Sequence, residues 1–300
     1  PKYETYSKDV KVVKERTITL WETEPITQEQ THTSTNRGYN EVNLSAGAYG
    51  ENSIVSVGTL TINTGRDVTV SGVINSGSGD LNVDSGRHLN VLGQTPSGVQ
   101  LPAQSKLISA GNVSLSAEQN VNFGQGSGKL SALIQGDSGQ GITDPLTIDI
   151  SAGQTANIGG ELTSLDTITI SSAGDVALKG IMSTGDLIDI DSGYIDTQGS
   201  GAGSITGTLY TELTTTNAGS DIQFTSGVNS GDISISSSLN AEDDVALTAQ
   251  AGSITHSGGL ITSSFLTADA ATGLSANADI ATLDASLTDS GDISVNNQSD

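Results

Sequence analysis

The chain predicts an all-β fold, a parallel β-helix (β-solenoid) with rungs of about 20 residues. Three observations lead there. A short phrase keeps returning: small residue, Gly, Asp or Asn, aliphatic, any residue, aliphatic. It reads GSGDLNVDSG from Gly77 to Gly86, AGNVSLSA from Ala110 to Ala117 and AGDVALKG from Ala173 to Gly180. It returns as TGDLIDID from Thr184 to Asp191, SGDISISS from Ser230 to Ser237 and SGDISVNN from Ser290 to Asn297. The second observation is the spacing: Asp67 to His88, Asp166 to Asp186 and Asp232 to Ser253 are each about 20 residues apart. The third is strict alternation, as in Ile168 and Ile170 against Thr167 and Thr169, which marks a strand with one buried face.

Each phrase is a turn followed by a strand. Single steps between phrases vary and pairs of steps agree, so the expected unit is two strands and two turns. A meander of hairpins has no reason to keep such a period, whereas a coil must close one rung before beginning the next. Leu146, Ile148 and Ile150 are expected to point inward with Ile168, Ile170, Ile188 and Ile190. Thr147, Asp149, Asp189 and Asp191 are expected to face solvent. Gly and Asn suit corners that need positive φ, and Asp and Ser can hold turns through nearby backbone N–H groups.

Taken in order, residues 1–45 form a first segment, an N-terminal cap or inter-subunit piece. It holds Lys2, Lys8, Lys11, Lys14, Arg16 and Arg37, six of the eleven basic residues, together with Trp21. Strands are expected over Lys8–Ile18 and Thr17–Glu24. Residues 46–300 form the coil, with room for about a dozen rungs, a rod of roughly 55–60 Å. Gln94–Ser105, Gly124–Gly128, Gly136–Pro145 and Gly199–Gly207 read as insertions, which in solenoids tend to leave from one face. The opening on Pro1 and the fresh phrase at Asp292–Val295 suggest a processed chain or a piece of a longer one.

Composition bounds the function. Leu, Ile, Val and Phe make up 71 of the 300 residues, more than the share below which highly charged chains stay disordered. The formal charge is −23, and beyond Lys179 no Lys or Arg follows while sixteen Asp or Glu do. That half offers no cation for phosphate, so nucleic acid is not expected as a partner. There are no cysteines, hence neither disulfides nor thiolate metal sites. No apolar run is long enough for a membrane span.

The phrases AGNVSLSAEQNVNFG, AGDVALKGIMSTGDLIDIDSG and LDASLTDSGDISVNN resemble the shaft repeats of filamentous-haemagglutinin-like large bacterial exoproteins and adhesins. The likeness spans roughly residues 43–300. It implies a right-handed coil and an extracellular or cell-surface location. It also implies service in a long structural or adhesive filament, with a host surface or carbohydrate as ligand. The Asn-Pro phrases of that family's secretion domain do not occur in this chain. The charge asymmetry adds a further expectation: a basic first segment can meet the acidic body of another copy, giving head-to-tail self-association.

Candidate sites are few. Calcium wants oxygen ligands, and Asp186, Asp189, Asp191 and Asp196 lie close in sequence, as do Glu242, Asp243 and Asp244. Neither group has the spacing of a known calcium loop, and solvated turn acids are the simpler reading. Enzymes on this fold set carboxylates beside Lys or Arg. Here the carboxylates recur with the phrase, and His32, His88 and His256 stand alone. The expectation is a structural, non-enzymatic protein. The alternative is a β-helical carbohydrate-binding or polysaccharide-degrading protein. Thr59-Leu60-Thr61, Thr167-Ile168-Thr169 and Thr214-Thr215-Thr216 do not recur at the rung spacing, so no ice-binding ladder is expected. The sequons at Asn43, Asn112 and Asn297 are chance matches in a Ser-rich chain.

Overall fold

The computed structural model describes residues 58–298, apart from 93–104, 126–131, 137, 139–140, 194–202, 209 and 230, and a few short strands before them. Those strands are β1 (Arg16–Ile18), β2 (His32–Asn36), β3 (Val42–Ser45) and β4 (Ser53–Val55). All are parallel partners of later strands. The remainder of the strands expected over Lys8–Ile18 and Thr17–Glu24 lies outside the described residues.

The chain is all-β, and every pairing recorded between its strands is parallel. Three faces build each rung. The first face stacks β5 (Leu60–Thr64), β8 (Leu81–Ser85), β11 (Val113–Ala117), β14 (Thr147–Ala152), β16 (Thr167–Ser172), β18 (Leu187–Asp191), β21 (Asp221–Ser226) and β24 (Asp244–Ala249). It ends on the later halves of β26 (Ile261–Ala270) and β27 (Gly273–Leu287). The second face runs through β6 (Val68–Ser71), β9 (His88–Leu92), β12 (Asn120–Gln125) and the first halves of β15 (Thr155–Thr163) and β17 (Val176–Thr184). It continues through β19 (Ile205–Gly207), β22 (Ile233–Ile235), β25 (Ser253–His256), the start of β27 and β28 (Ile293–Asn297). The third uses β7 (Val73–Asn75), β10 (Ser105–Ile108), β13 (Ala132–Gln135), the second halves of β15 and β17, β20 (Glu212–Thr215), β23 (Leu239–Asn240) and the start of β26.

The rung therefore holds three strands, not the expected two. Two of them run together in β15 and in β17 without an intervening turn. The bend falls inside the strand at Gly160, whose φ is +92 and whose Cβ would strike Ala132. The period itself holds: Ile148 lies beside Ile168, and Ile168 beside Ile188, steps of twenty residues. Longer steps contain the insertions, as from Val113 to Ile148 and from Ile188 to Ile222. These insertions leave from all three corners rather than one. From β2 to the end of β27 the first face has eleven levels, about 50 Å at the usual strand spacing.

Inward side chains form continuous aliphatic columns. Leu81, Val113, Ile148, Ile168, Ile188, Ile222 and Val245 follow one another in register and are fully buried. β-branched and aliphatic residues suit this packing on a pleated surface. Leu146 departs from expectation. It is 51% exposed and precedes the strand, because it sits on a corner where its carbonyl accepts the N–H groups of Asp166 and Thr167.

Candidate functional surface

The returning phrase is a device for joining rungs. Its Gly lies against the backbone of the rung below. A Cβ at Gly111 would come within 2.7 Å of the Gly79 carbonyl carbon, and one at Gly252 within 2.5 Å of that of Gly231. Gly174, Gly203, Gly231 and Gly252 continue this contact over successive rungs. None of these glycines has positive φ, so close approach is what requires them there, not the turn conformation expected from the sequence.

The Asp of the phrase likewise reaches across rungs rather than within its own turn. An Asp80 carboxylate oxygen accepts the N–H of Asn112 at 2.8 Å, Asp175 that of Ser204 at 2.9 Å, and Asp232 that of Ser253 at 2.7 Å. Turn closure falls to buried serines instead. Ser76 Oγ donates to the Gly79 carbonyl, Ser220 Oγ to that of Asn217 and Ser226 Oγ to that of Gly231, while Ser172 Oγ reaches the Gln154 carbonyl one rung away.

Asp189 and Asp191 share the outer side of the first face, in register with Thr169 and Ser171 below and Gln223 and Thr225 above. Burial pushes the Asp189 carboxyl above its usual range, and the charge of Asp191 adds to this. Burial also raises Asp191, against a hydrogen bond from Thr225. Asp149, two rungs below Asp189, is raised by burial alone. Asp186 is exposed at a corner, where its backbone N–H binds the Asp166 carbonyl. Asp196 lies outside the described residues.

Among the described residues the structure gathers a different trio: Asp221, Asp243 and Asp244, each with a carboxylate oxygen within 4.8 Å of the others. Glu242, grouped with the last two by sequence, is not among them. Asp221 arrives from the rung below, where one of its oxygens accepts the Asp244 N–H at 3.1 Å. Partial burial first, then the charges of Asp243 and Asp221, raise the Asp244 carboxyl. An oxygen-only set of this kind can receive a hard cation. Only the rung step from Asp221 to Asp244, unknown before registers are known, would have paired them.

Asp67 has the opposite environment. Arg87 donates to it through Nε at 2.6 Å and through Nη2, and the backbone of His88 adds a third bond. The Arg87 bond holds its carboxyl below the usual range. On the second face, Asn157 donates to Asn122 at 2.8 Å and Asn122 to Asn90 at 2.9 Å, so outward amides bond to one another along the rod. A shallow trough on the same face is lined by Ser253, Thr255, Gly273, Ser275, Asp292 and Ser294. It presents one carboxylate and no basic side chain.

No family model, curated protein or solved structure matches this chain.

Proposed function

We propose that these 300 residues serve as a stiff β-solenoid shaft in an extracellular bacterial adhesin or surface filament. The observation that carries this reading is the parallel pairing that continues rung by rung from β5 to β28, with inward columns buried throughout its middle. Such a coil couples every rung to its neighbours through backbone hydrogen bonds and aliphatic contact, and its work is mechanical. The outward groups described above mostly serve rung-to-rung bonding, which suits a spacer better than a catalyst. The resemblance of the repeat phrases supports the extracellular setting. The basic first segment and the acidic body support end-to-end joining of copies, with a host surface or carbohydrate contacted along the rod.

Small-angle scattering and negative-stain microscopy test this. The expected particle is a rod of constant cross-section, about 50 Å long for one copy at the usual rung spacing, or a multiple of that length if copies join. A compact particle, or release of reducing sugar from a polysaccharide panel, would overturn the reading.

A further inference from the structure

His256 is the one ionisable side chain in the buried core among the described residues, at 2% exposure. It closes β25 on the inward side of the second face, in register with Ile235 of β22. Its Nε2 lies 2.7 Å from the carbonyl of Ser237. A carbonyl only accepts, so Nε2 carries the proton and Nδ1 the lone pair. That Nδ1 is buried without a hydrogen-bond partner. Ser237 is fixed in turn, because its hydroxyl donates to the Thr211 carbonyl.

No charge compensates the ring. The strands packed on β25 are β22, β24, β26 and β27. Their ionisable side chains are Asp244, Asp269, Asp279 and Asp284, all at outward positions of their strands. Asp232, Glu242 and Asp243 lie on surface corners. Burial holds the imidazole below its ordinary range and outweighs the carbonyls of Ser237 and Asn277, which favour the proton. A second proton would place a charge in an aliphatic column with no carboxylate beside it. In a solenoid each rung answers mainly to its neighbours, so such a fault stays local.

We propose that His256 is an acid-triggered release: protonation of its ring opens the coil at β25 and the strands packed on it while the middle rungs stay folded. This is independent of the shaft reading, since a solenoid of any function would carry it.

Hydrogen exchange at about pH 7.5 and about pH 5.5, corrected for the intrinsic pH dependence of exchange, tests it across the histidine range. Protection over residues 253–257 and 273–280 is expected to fall several-fold, at most about tenfold for one imidazole, relative to residues 147–191. His256→Leu is expected to abolish the difference. Equal losses along the rod, or the same selective loss in His256→Leu, would overturn the proposal. Should the variant not fold, NMR titration of the wild-type imidazole decides. A midpoint at or above the ordinary value of 6.5 overturns it, and a midpoint well below, with signals of β25 and the strands packed on it lost on protonation, supports it.

Discussion

At the residue scale, glycine in the phrase is a matter of space. Gly231→Ala would drive a methyl into the Gly203 carbonyl, whereas a Cβ at Gly273 meets nothing nearer than the Asp292 carbonyl oxygen at 3.8 Å. Gly231→Ala is therefore expected to destabilise by about 1–3 kcal/mol, the usual cost of overpacking. Gly273→Ala should stay within about 0.5 kcal/mol. Denaturant melts of the pair check this, and equal midpoints would contradict the contact argument. Asp232→Ala removes the acceptor for both the N–H and the hydroxyl of Ser253. Because that corner is exposed, a loss of only about 1 kcal/mol is expected. The phrase was legible in the sequence, but its reason was not. A Gly-Asp pair reads as a local turn, because nothing in one dimension says that the partner backbone is a full rung away.

At the element scale, the first face puts acids where a column of short polar residues would otherwise be neutral. Thr169 lies between Asp149 and Asp189 in register. A carboxylate at this outward position would face like charges above and below. Thr169→Lys should do the reverse and raise the melting temperature by about 1–3 °C at low salt, with the gain fading as salt is added. The sign with pH follows from the raised carboxyls. Asp149, Asp189 and Asp191 have folded values above the ordinary 3.8. The folded state therefore holds their protons longer than the unfolded chain does. Their stabilising contribution is fully present below about 3.8 and is lost as pH rises through the folded values. Asp189→Asn should thus melt higher than wild type near neutrality, and the two should converge as pH falls toward the carboxylate range. Two-strand periodicity was the natural reading of the spacing, yet a third strand exists. On the third face β7 and β23 are too short to show alternation, and β15 and β17 hide a corner inside one continuous strand. The corner at Gly160 could have been suspected from Gly159-Gly160 alone.

At the scale of the whole molecule, a rod couples its parts only through neighbouring rungs, so damage and relief should both be local. Ile168 is fully buried in the middle of its column, and Ile168→Asp would bury an unpaired charge there. A cost of about 4 kcal/mol or more is expected, enough to uncouple the rungs on either side. The thermal transition should then broaden or split, while wild type melts more sharply. A single equally sharp transition at lower temperature would mean that the rod behaves as one cooperative block. Charge makes the two halves unequal in the same experiment. The only ion pair recorded among the described residues joins Arg87 to Asp67, and no cation follows Lys179. The later rungs thus carry acids with no Lys or Arg among them, and added salt should raise the later melting step more than the earlier one by screening their repulsion. Acid tests the same asymmetry with opposite signs along the rod. As pH falls below 6.5, the stability that neutral His256 allows is lost around β25. Nearer 3.8, proton uptake by Asp149, Asp189 and Asp191 favours the folded middle rungs. Mild acid should therefore separate the two steps, because it weakens the rungs around β25 before it strengthens the centre.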